Sequence, residues 1–210
     1  MAANNRTYVL VLACASWLST AVSGSALLWR YKYAPGTDAL APLAWPVASA
    51  IPRTLDRPTL IVFAHPRCAC TRATLGELAQ LMAHSQGRVS AHVVFFQPEG
   101  SAPDWARGAL WDAAAAIPSA RIHADAGGRQ ARLFRAQTSG HTVLYDAGGQ
   151  RVFDGGITVA RGHFGDNAGL RALTALVQGR AAELWPSKIF GCPILTRQGG
   201  AACGGRPCRP

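Results

Sequence analysis

Apolar and polar residues are grouped along the chain in blocks that predict strands and helices in a regular order. The run 59–63 is apolar and rich in β-branched residues, which predicts a buried strand. Residues 71–84 place apolar side chains at helical spacing, and 89–96 form a second apolar run that ends before Pro98. A strand, a helix and a strand in this order predict a βαβ unit with parallel strands.

The rest of the chain predicts five more elements and a final helix. A glycine-containing turn at 146–150 separates two short apolar runs, a pattern typical of a β-hairpin. Asp166 is the expected N-cap of the last helix and Gly179 its stop. The elements are a helix at 103–117, a strand at 120–123, a helix at 129–136, hairpin strands at 142–145 and 151–153, and a helix at 167–178.

Residues 7–29 contain no Asp, Glu, Lys or Arg and predict a membrane segment. At about 1.5 Å per residue, this run is long enough to cross a hydrocarbon core of about 30 Å. It also exceeds the length of a signal-peptide core, so an uncleaved anchor is the first hypothesis. Small residues at 21–23 offer a cleavage site, which leaves a cleaved signal peptide as the alternative.

The cysteine content places the main domain outside the cytoplasm. Basic residues are balanced across the segment, with Arg6 and the amino terminus on one side and Arg30 and Lys32 on the other. Five cysteines follow the membrane segment, and such a number favours an oxidising compartment. We therefore expect a short cytoplasmic N-terminus and an exported domain.

The chain divides into four predicted parts. They are a stub with the anchor at 1–32, a Pro-rich spacer at 33–53, one globular domain at 54–186, and a Gly-, Pro- and Cys-rich tail at 187–210. The formal charge of +10 first raises the question of nucleic acid. The arginines, however, are scattered between apolar segments and form no basic helix or stripe, so no nucleic-acid partner is expected.

Two cysteines, Cys68 and Cys70, stand where the first predicted strand meets the first predicted helix. Unpaired amides and the positive end of the dipole at a helix start stabilise a thiolate. Arg67 and Arg72 add positive charge on either side. This position favours a reactive pair over the alternative, two buried structural cysteines.

The order of elements and the site of the cysteine pair resemble the thioredoxin fold over residues 54–178. This resemblance implies an α/β fold, a central mixed sheet flanked by helices, here behind an N-terminal transmembrane helix. It also implies thiol-disulfide exchange without a cofactor, in which Cys68 attacks a client disulfide and Cys70 resolves the mixed disulfide. The implied partners are the thiols or disulfides of exported proteins.

Three segments, 65–72, 139–146 and 155–158, are also similar to the bacterial RedB proteins. That resemblance implies a redox link and, with the anchor, a single-pass protein of the bacterial inner membrane whose main domain is periplasmic.

Two features depart from the thioredoxin pattern. The cysteines are separated by one residue instead of two, so a disulfide between them would close a small, strained and easily reduced ring. Such a pair is a better oxidant or isomerase than a reductant. The second departure is His141, which stands where thioredoxins place a cis-proline.

His141 opens a second hypothesis, because the copper chaperones of the Sco type are thioredoxin-like and bind copper through two cysteines and a histidine. The resemblance implies a copper site of Cys68, Cys70 and His141 and a cuproprotein client. Thiolate and imidazole suit Cu(I), Cu(II) and zinc. His65 is a further ligand candidate, or a positive neighbour that lowers the Cys68 pKa.

The other cysteines and histidines give weaker evidence of function. Cys192 follows apolar residues that predict packing against the domain, which would bring a third thiol near the site, whereas Cys203 and Cys208 predict a local disulfide or free thiols. Peroxide reduction is disfavoured, because the peroxidase pattern needs a proline and a threonine where the chain has Phe63 and Arg67. Four other histidines lack ligand partners at suitable spacing and are expected to be surface or core groups: His84, His92, His123 and His163.

Overall fold

The computed structural model describes residues 2–37, 39–182 and 187–195, and the chain forms two compact units, Met1–Ala34 and Pro35–Pro210. The first unit consists of helix α1, Ala2–Lys32. Within it, Asn5–Lys32 is the one helix among the described residues that is long and apolar enough to cross a membrane. Its length and composition suit an anchor and a signal sequence equally.

The second unit contains a five-stranded mixed sheet with helices on both sides. The strands have the order β3-β2-β1-β4-β5 across the sheet. The elements are β1 (Thr59–Ala64), α2 (Ala69–Ser85), β2 (Ser90–Gln97), α3 (Ala109–Ala115), β3 (Ala120–Ala126), α4 (Arg129–Leu133), β4 (Thr142–Tyr145), β5 (Arg151–Gly155) and α5 (Ala168–Val177).

The pairing of the strands confirms the predicted thioredoxin-like fold. β1 is parallel to β2 and β2 to β3, while β4 is antiparallel to both β1 and β5. The β1–α2–β2 unit and the β4–β5–α5 unit form the core of this fold, and α3, β3 and α4 are inserted between them. The central strand β1 is buried along its whole length, which explains its uninterrupted apolar sequence.

The two faces of β1 belong to two different hydrophobic cores. Leu60 and Val62 point into a core formed with α2, α3 and α5. Ile61 and Phe63 point to the other face, where Phe134 and Tyr145 form an aromatic cluster. This alternation of side chains along a strand fixes which helices lie above and below the sheet.

The segment predicted as a spacer differs from expectation, because residues 35–53 belong to the globular unit. Ala41 and Ile51 are buried in the second core, and Trp45 packs edge-on against Phe134 and Tyr145. The prolines that indicated a spacer interrupt regular structure without preventing burial. The hydrophobic residues between them provide the reason for packing.

Two helix starts also differ from the prediction. α3 begins at Ala109 instead of residue 103, since Gly108 adopts a φ of 148° that a helix does not permit. Asn167, and not Asp166, caps α5: its side chain accepts a hydrogen bond of 2.9 Å from the Leu170 amide.

Candidate functional site: a cluster of three thiols

Cys68 lies at the N-cap of α2, at the end of a tight turn that leads out of β1. Its backbone is extended, with φ −97° and ψ 117°, and its N–H donates to the His65 carbonyl at 3.1 Å. Its own carbonyl accepts from Thr71 N–H at 3.0 Å, which starts the helix. Cys68 therefore lies at the N-terminus of a 17-residue helix. This end of the helix is positive, because its first amides lack partners within the helix.

Three cysteine thiols meet at this helix start. The Cys192 amide donates to the Cys68 sulfur at 3.3 Å, and Cys70 and Cys192 both influence the pKa of the Cys68 thiol. Cys68 is fully buried and Cys70 is 7% exposed, whereas Cys192 is only partly buried. A cysteine 124 positions away from Cys68 thus joins the two cysteines that are one residue apart in sequence.

The cluster concentrates negative charge on Cys68. Hydrogen bonds from the Cys192 and Cys70 thiols, joined by the Cys192 amide, lower the pKa of the Cys68 thiol far below its ordinary value. The same bonds and burial raise the pKa of Cys70 and of Cys192, because each must keep its proton to donate it. Of the three sulfurs, Cys68 is therefore the one whose environment favours the thiolate.

Arg161 supplies a positive charge to the cluster. It lies in the loop between β5 and α5, and its Nη1 donates to the Gly191 carbonyl at 2.8 Å. Its guanidinium favours the thiolate forms of both Cys70 and Cys192, and the Gly162 amide donates to the Cys70 sulfur. The sequence of the loop 161–167 favours a cap for the last helix and leaves open that the loop lines the site; Asn167 caps α5, and Arg161 lies at the cysteines.

The C-terminal segment 187–195 is held in place by backbone hydrogen bonds. The Cys192 carbonyl accepts from Ser139 N–H, and the Ile194 amide donates to the Gln137 carbonyl, both at 2.8 Å. Two residues of the segment, Ile189 and Ile194, are buried. The apolar residues around Cys192 therefore place a third thiol where the sequence analysis expected one, while Cys203 and Cys208 lie outside the described residues.

Ser139 connects this segment to the turn before α2. Its hydroxyl accepts from the His65 amide at 2.9 Å and pairs with the Thr71 hydroxyl at 2.8 Å. Its amide is the donor that holds the Cys192 carbonyl. Ser139 thus holds the turn at Cys68 through its side chain and the segment at Cys192 through its backbone amide.

His65, Arg67 and Arg72 flank the cysteine pair in sequence. The His65 ring stacks on Phe96 at 5.9 Å, and burial, aided by the charge of Arg67, lowers the His65 pKa. A neutral His65 would be a weak source of positive charge for Cys68. Arg67 is exposed and lies 4.5 Å over the Trp105 ring, and Arg72 is exposed on α2.

His141 is engaged in a different network. Its side chain is fully buried, and Nε2 bonds the Asp154 carboxylate at 2.7 Å. Arg151 pairs with the same carboxylate at 3.0 Å. Nδ1 of His141 is buried without a hydrogen-bond partner, and the ring packs 6.3 Å from that of Phe63.

The predicted copper set does not fit this geometry. His141 is paired with Asp154, and the described part of the chain holds no group of three His, Cys, Asp or Glu side chains arranged to bind a metal ion. Cys68, Cys70 and His141 are therefore not assembled as a metal site in these residues.

Two of the remaining histidines form a pair that sequence spacing did not indicate. His92 Nδ1 lies 2.8 Å from His123 Nε2, across the parallel strands β2 and β3. His92 is fully buried, and this environment lowers its pKa to about 4. His92 is a core group and His123 is partly exposed, and the two rings are hydrogen-bonded to each other, as expected for histidines without cysteine partners.

Solved structures share this fold at low sequence identity. A hypothetical protein from Sinorhizobium meliloti superposes with a TM-score of 0.59 at 18% identity, over 79% of this chain and 100% of that chain. An uncharacterised conserved protein from Geobacillus kaustophilus gives 0.54 at 18%, over 80% and 95%. The exposed lipoprotein thioredoxin of Streptococcus pneumoniae gives 0.44 at 13%, over 60% and 86%.

No protein-family model and no curated protein matches the sequence. At these identities the structural neighbours establish the fold alone, so the function is argued from the thiol cluster.

Proposed function

We propose that the chain is a thiol-disulfide oxidoreductase whose reactive group is the Cys68 thiolate. The observation that carries the proposal is a buried sulfur at the start of α2 that accepts a hydrogen bond of 3.3 Å from the Cys192 amide, in surroundings that lower the pKa of the Cys68 thiol. A thiolate is the attacking species in exchange and also the better leaving group.

The proposed chemistry is exchange with the thiols or disulfides of a client protein. When the Cys68 thiolate attacks a client disulfide, one client sulfur leaves as a thiolate and the other remains bonded to Cys68. A second thiol of the cluster then attacks the Cys68 sulfur, releases the client as a thiol and closes an intramolecular disulfide. Both Cys70, the partner expected from sequence, and Cys192 contact Cys68 and are candidates for this step.

We further propose that the domain works outside the cytoplasm, held at the inner membrane of a bacterium by Asn5–Lys32. The length and composition of that helix support an anchor, and five cysteines beyond it support an oxidising compartment. The resemblance to RedB proteins is consistent with this location and with redox chemistry. No metal is part of the proposal.

The test is the dependence of exchange on Cys68. The reduced full chain in detergent is mixed with oxidised glutathione, quenched with acid at intervals and alkylated, and the loss of free thiols is followed by mass spectrometry. We expect Cys68→Ser to slow this loss at least tenfold within the cluster, while Cys14→Ser matches the wild type. If Cys68→Ser retains the wild-type rate, Cys68 is not the reactive group.

A further inference from the structure

The most reactive sulfur of the cluster is also its least accessible one. Cys68 is fully buried, and Cys192 lies against it with its side chain partly exposed. The Cys192 amide lies 3.3 Å from the Cys68 sulfur, so a client sulfur reaches Cys68 only when the C-terminal segment moves aside. Cys192 is the thiol of the cluster that a client can reach without displacement of that segment.

The segment that holds Cys192 is built into the fold. Besides its bonds to Ser139 and Gln137, the Ile189 carbonyl accepts from Gly36 N–H at 2.8 Å, and Arg161 holds the Gly191 carbonyl. Gly191 has no space for a side chain, because a Cβ there would overlap the Ser139 carbonyl. These contacts fix Cys192 beside Cys68.

We propose that Cys192 is the client-facing cysteine and that the oxidised protein carries a disulfide between Cys68 and Cys192. The inference rests on the proposed exchange function and refines it: the client sulfur bonds to Cys192 first, and Cys68 is the sulfur that leaves or resolves. The Cys192 amide nitrogen lies 3.3 Å from the Cys68 sulfur, so the Cys192 side chain is within reach of that sulfur for a disulfide. Cys70, which is nearly buried, serves as a hydrogen-bond donor to the Cys68 thiolate.

The choice of Cys192 over Cys70 follows from ring size as well as exposure. A Cys68–Cys70 disulfide closes a small ring and is strained. A Cys68–Cys192 disulfide joins residues 124 positions apart in sequence and imposes no such strain. The disulfide with Cys192 is therefore the more stable product of oxidation.

Electron transfer from a dithiol client then proceeds in two balanced steps. A client thiolate attacks the Cys192 sulfur, the Cys68–Cys192 bond breaks, and Cys68 leaves as the stabilised thiolate. The second client thiol, after losing its proton, attacks the first client sulfur and expels Cys192, which takes up a proton. The client gains a disulfide and loses two electrons, and the protein gains them as Cys68 thiolate and Cys192 thiol.

The tryptic peptides of this chain distinguish the possible disulfides. Cys68 and Cys70 share the peptide 68–72, whereas Cys192 lies in 189–197. The full chain carries serine at Cys14, Cys203 and Cys208 in every sample, is oxidised with glutathione disulfide, alkylated and digested. We expect a cross-link between the two peptides, retained in Cys70→Ser and absent in Cys192→Ser.

Other results contradict either the assignment of Cys192 or the exchange function. An internal disulfide in peptide 68–72 without a cross-link, or a cross-link lost in Cys70→Ser, overturns the assignment of Cys192. Absence of any disulfide or glutathione adduct on the cluster overturns the exchange function itself.

A second measurement tests which sulfur the client attacks. The oxidised protein is mixed with a cysteine-containing peptide that has one thiol, and the mixed disulfide is trapped by alkylation of Cys68. We expect the adduct on 189–197 to exceed that on 68–72 by at least about tenfold, because Cys192 is accessible and Cys68 is the better leaving group. An adduct found mainly on 68–72 overturns the client-facing role.

Discussion

At the scale of single residues, burial decides which polar side chains act chemically and which only stabilise the fold. Cys68 and His92 are both fully buried, yet their environments shift protonation differently. Cys68 is surrounded by donors that favour its charged form, whereas His92 lies beside His123 and Arg121, which, together with burial, oppose a positive charge.

His92 predicts a loss of stability in mild acid. Burial first, then His123 and Arg121, lowers its pKa from 6.5 to about 4, so the unfolded chain binds a proton that the folded chain does not. The contribution of neutral His92 to the free energy of unfolding is complete above pH 6.5. It is lost as the pH falls toward 4, by up to roughly 3 kcal/mol. Urea unfolding across this range should show a weaker pH dependence in His92→Gln than in the exposed-site control His84→Gln.

Substitution of His141 should lower the stability of the fold and leave metal binding unchanged. His141→Ala removes a buried bond to a carboxylate and leaves a cavity, and should lower the free energy of unfolding by about 2–4 kcal/mol. Anaerobic titration of the folded, reduced variant with Cu(I) against a chelator should give the wild-type affinity. A lower affinity in His141→Ala, but not in His84→Ala, would restore the copper hypothesis.

At the scale of elements, the site depends on a close approach between two segments that are far apart in sequence. The loop 137–140 and the C-terminal segment 187–195 are joined by backbone hydrogen bonds, and glycine at 191 lets them meet. Glycine allows this approach because it has no Cβ. The position of Cys192 is therefore set by a glycine next to it and by Ser139 opposite.

Gly191→Ala tests this dependence. The added methyl group should push the segment away from Ser139, weaken the bonds from Cys192 to Cys68 and cost about 1–3 kcal/mol of stability. Without those donors the Cys68 pKa should rise, which a pH titration of thiolate ultraviolet absorbance detects.

The matched control is Gly76→Ala, within α2. A Cβ at Gly76 meets no atom within 4 Å, so alanine should stabilise the helix by about 0.5–1 kcal/mol and leave the thiolate titration unchanged. Equal titration curves for the two variants would show that the segment does not control Cys68.

At the scale of the whole molecule, the chain consists of a helix of membrane-crossing length and a separate compact unit. Because unit Pro35–Pro210 has its own two cores, removal of 1–34 should leave a folded domain that needs no detergent and retains Cys68-dependent exchange. Membrane fractionation of cells that express the full chain should place it in the pellet. A processed protein of lower mass in the soluble fraction would instead identify residues 1–34 as a cleaved signal.

The fold was accessible from sequence because hydrophobic periodicity and turn residues act locally. The strand Thr59–Ala64, the hairpin around Asp146 and the final helix all lie within a few residues of their predicted bounds. The prediction of a spacer was wrong because prolines indicate only that a segment lacks regular structure. Whether such a segment packs depends on residues elsewhere in the chain. Trp45 meets an aromatic cluster assembled from distant strands.

The sequence by itself determined the order of elements and the position of a cysteine pair at a helix start, since each depends on residues close together in the chain; the thioredoxin-like fold was implied by resemblance. Only the tertiary structure decided which side chains gather there. It joined Arg161 to the pair, set the Cys192 amide on the Cys68 sulfur and engaged His141 with Asp154. The apolar residues around Cys192 indicated that it packs against the domain, but local pattern does not specify contacts between segments more than a hundred residues apart, which packing and buried hydrogen bonds fix.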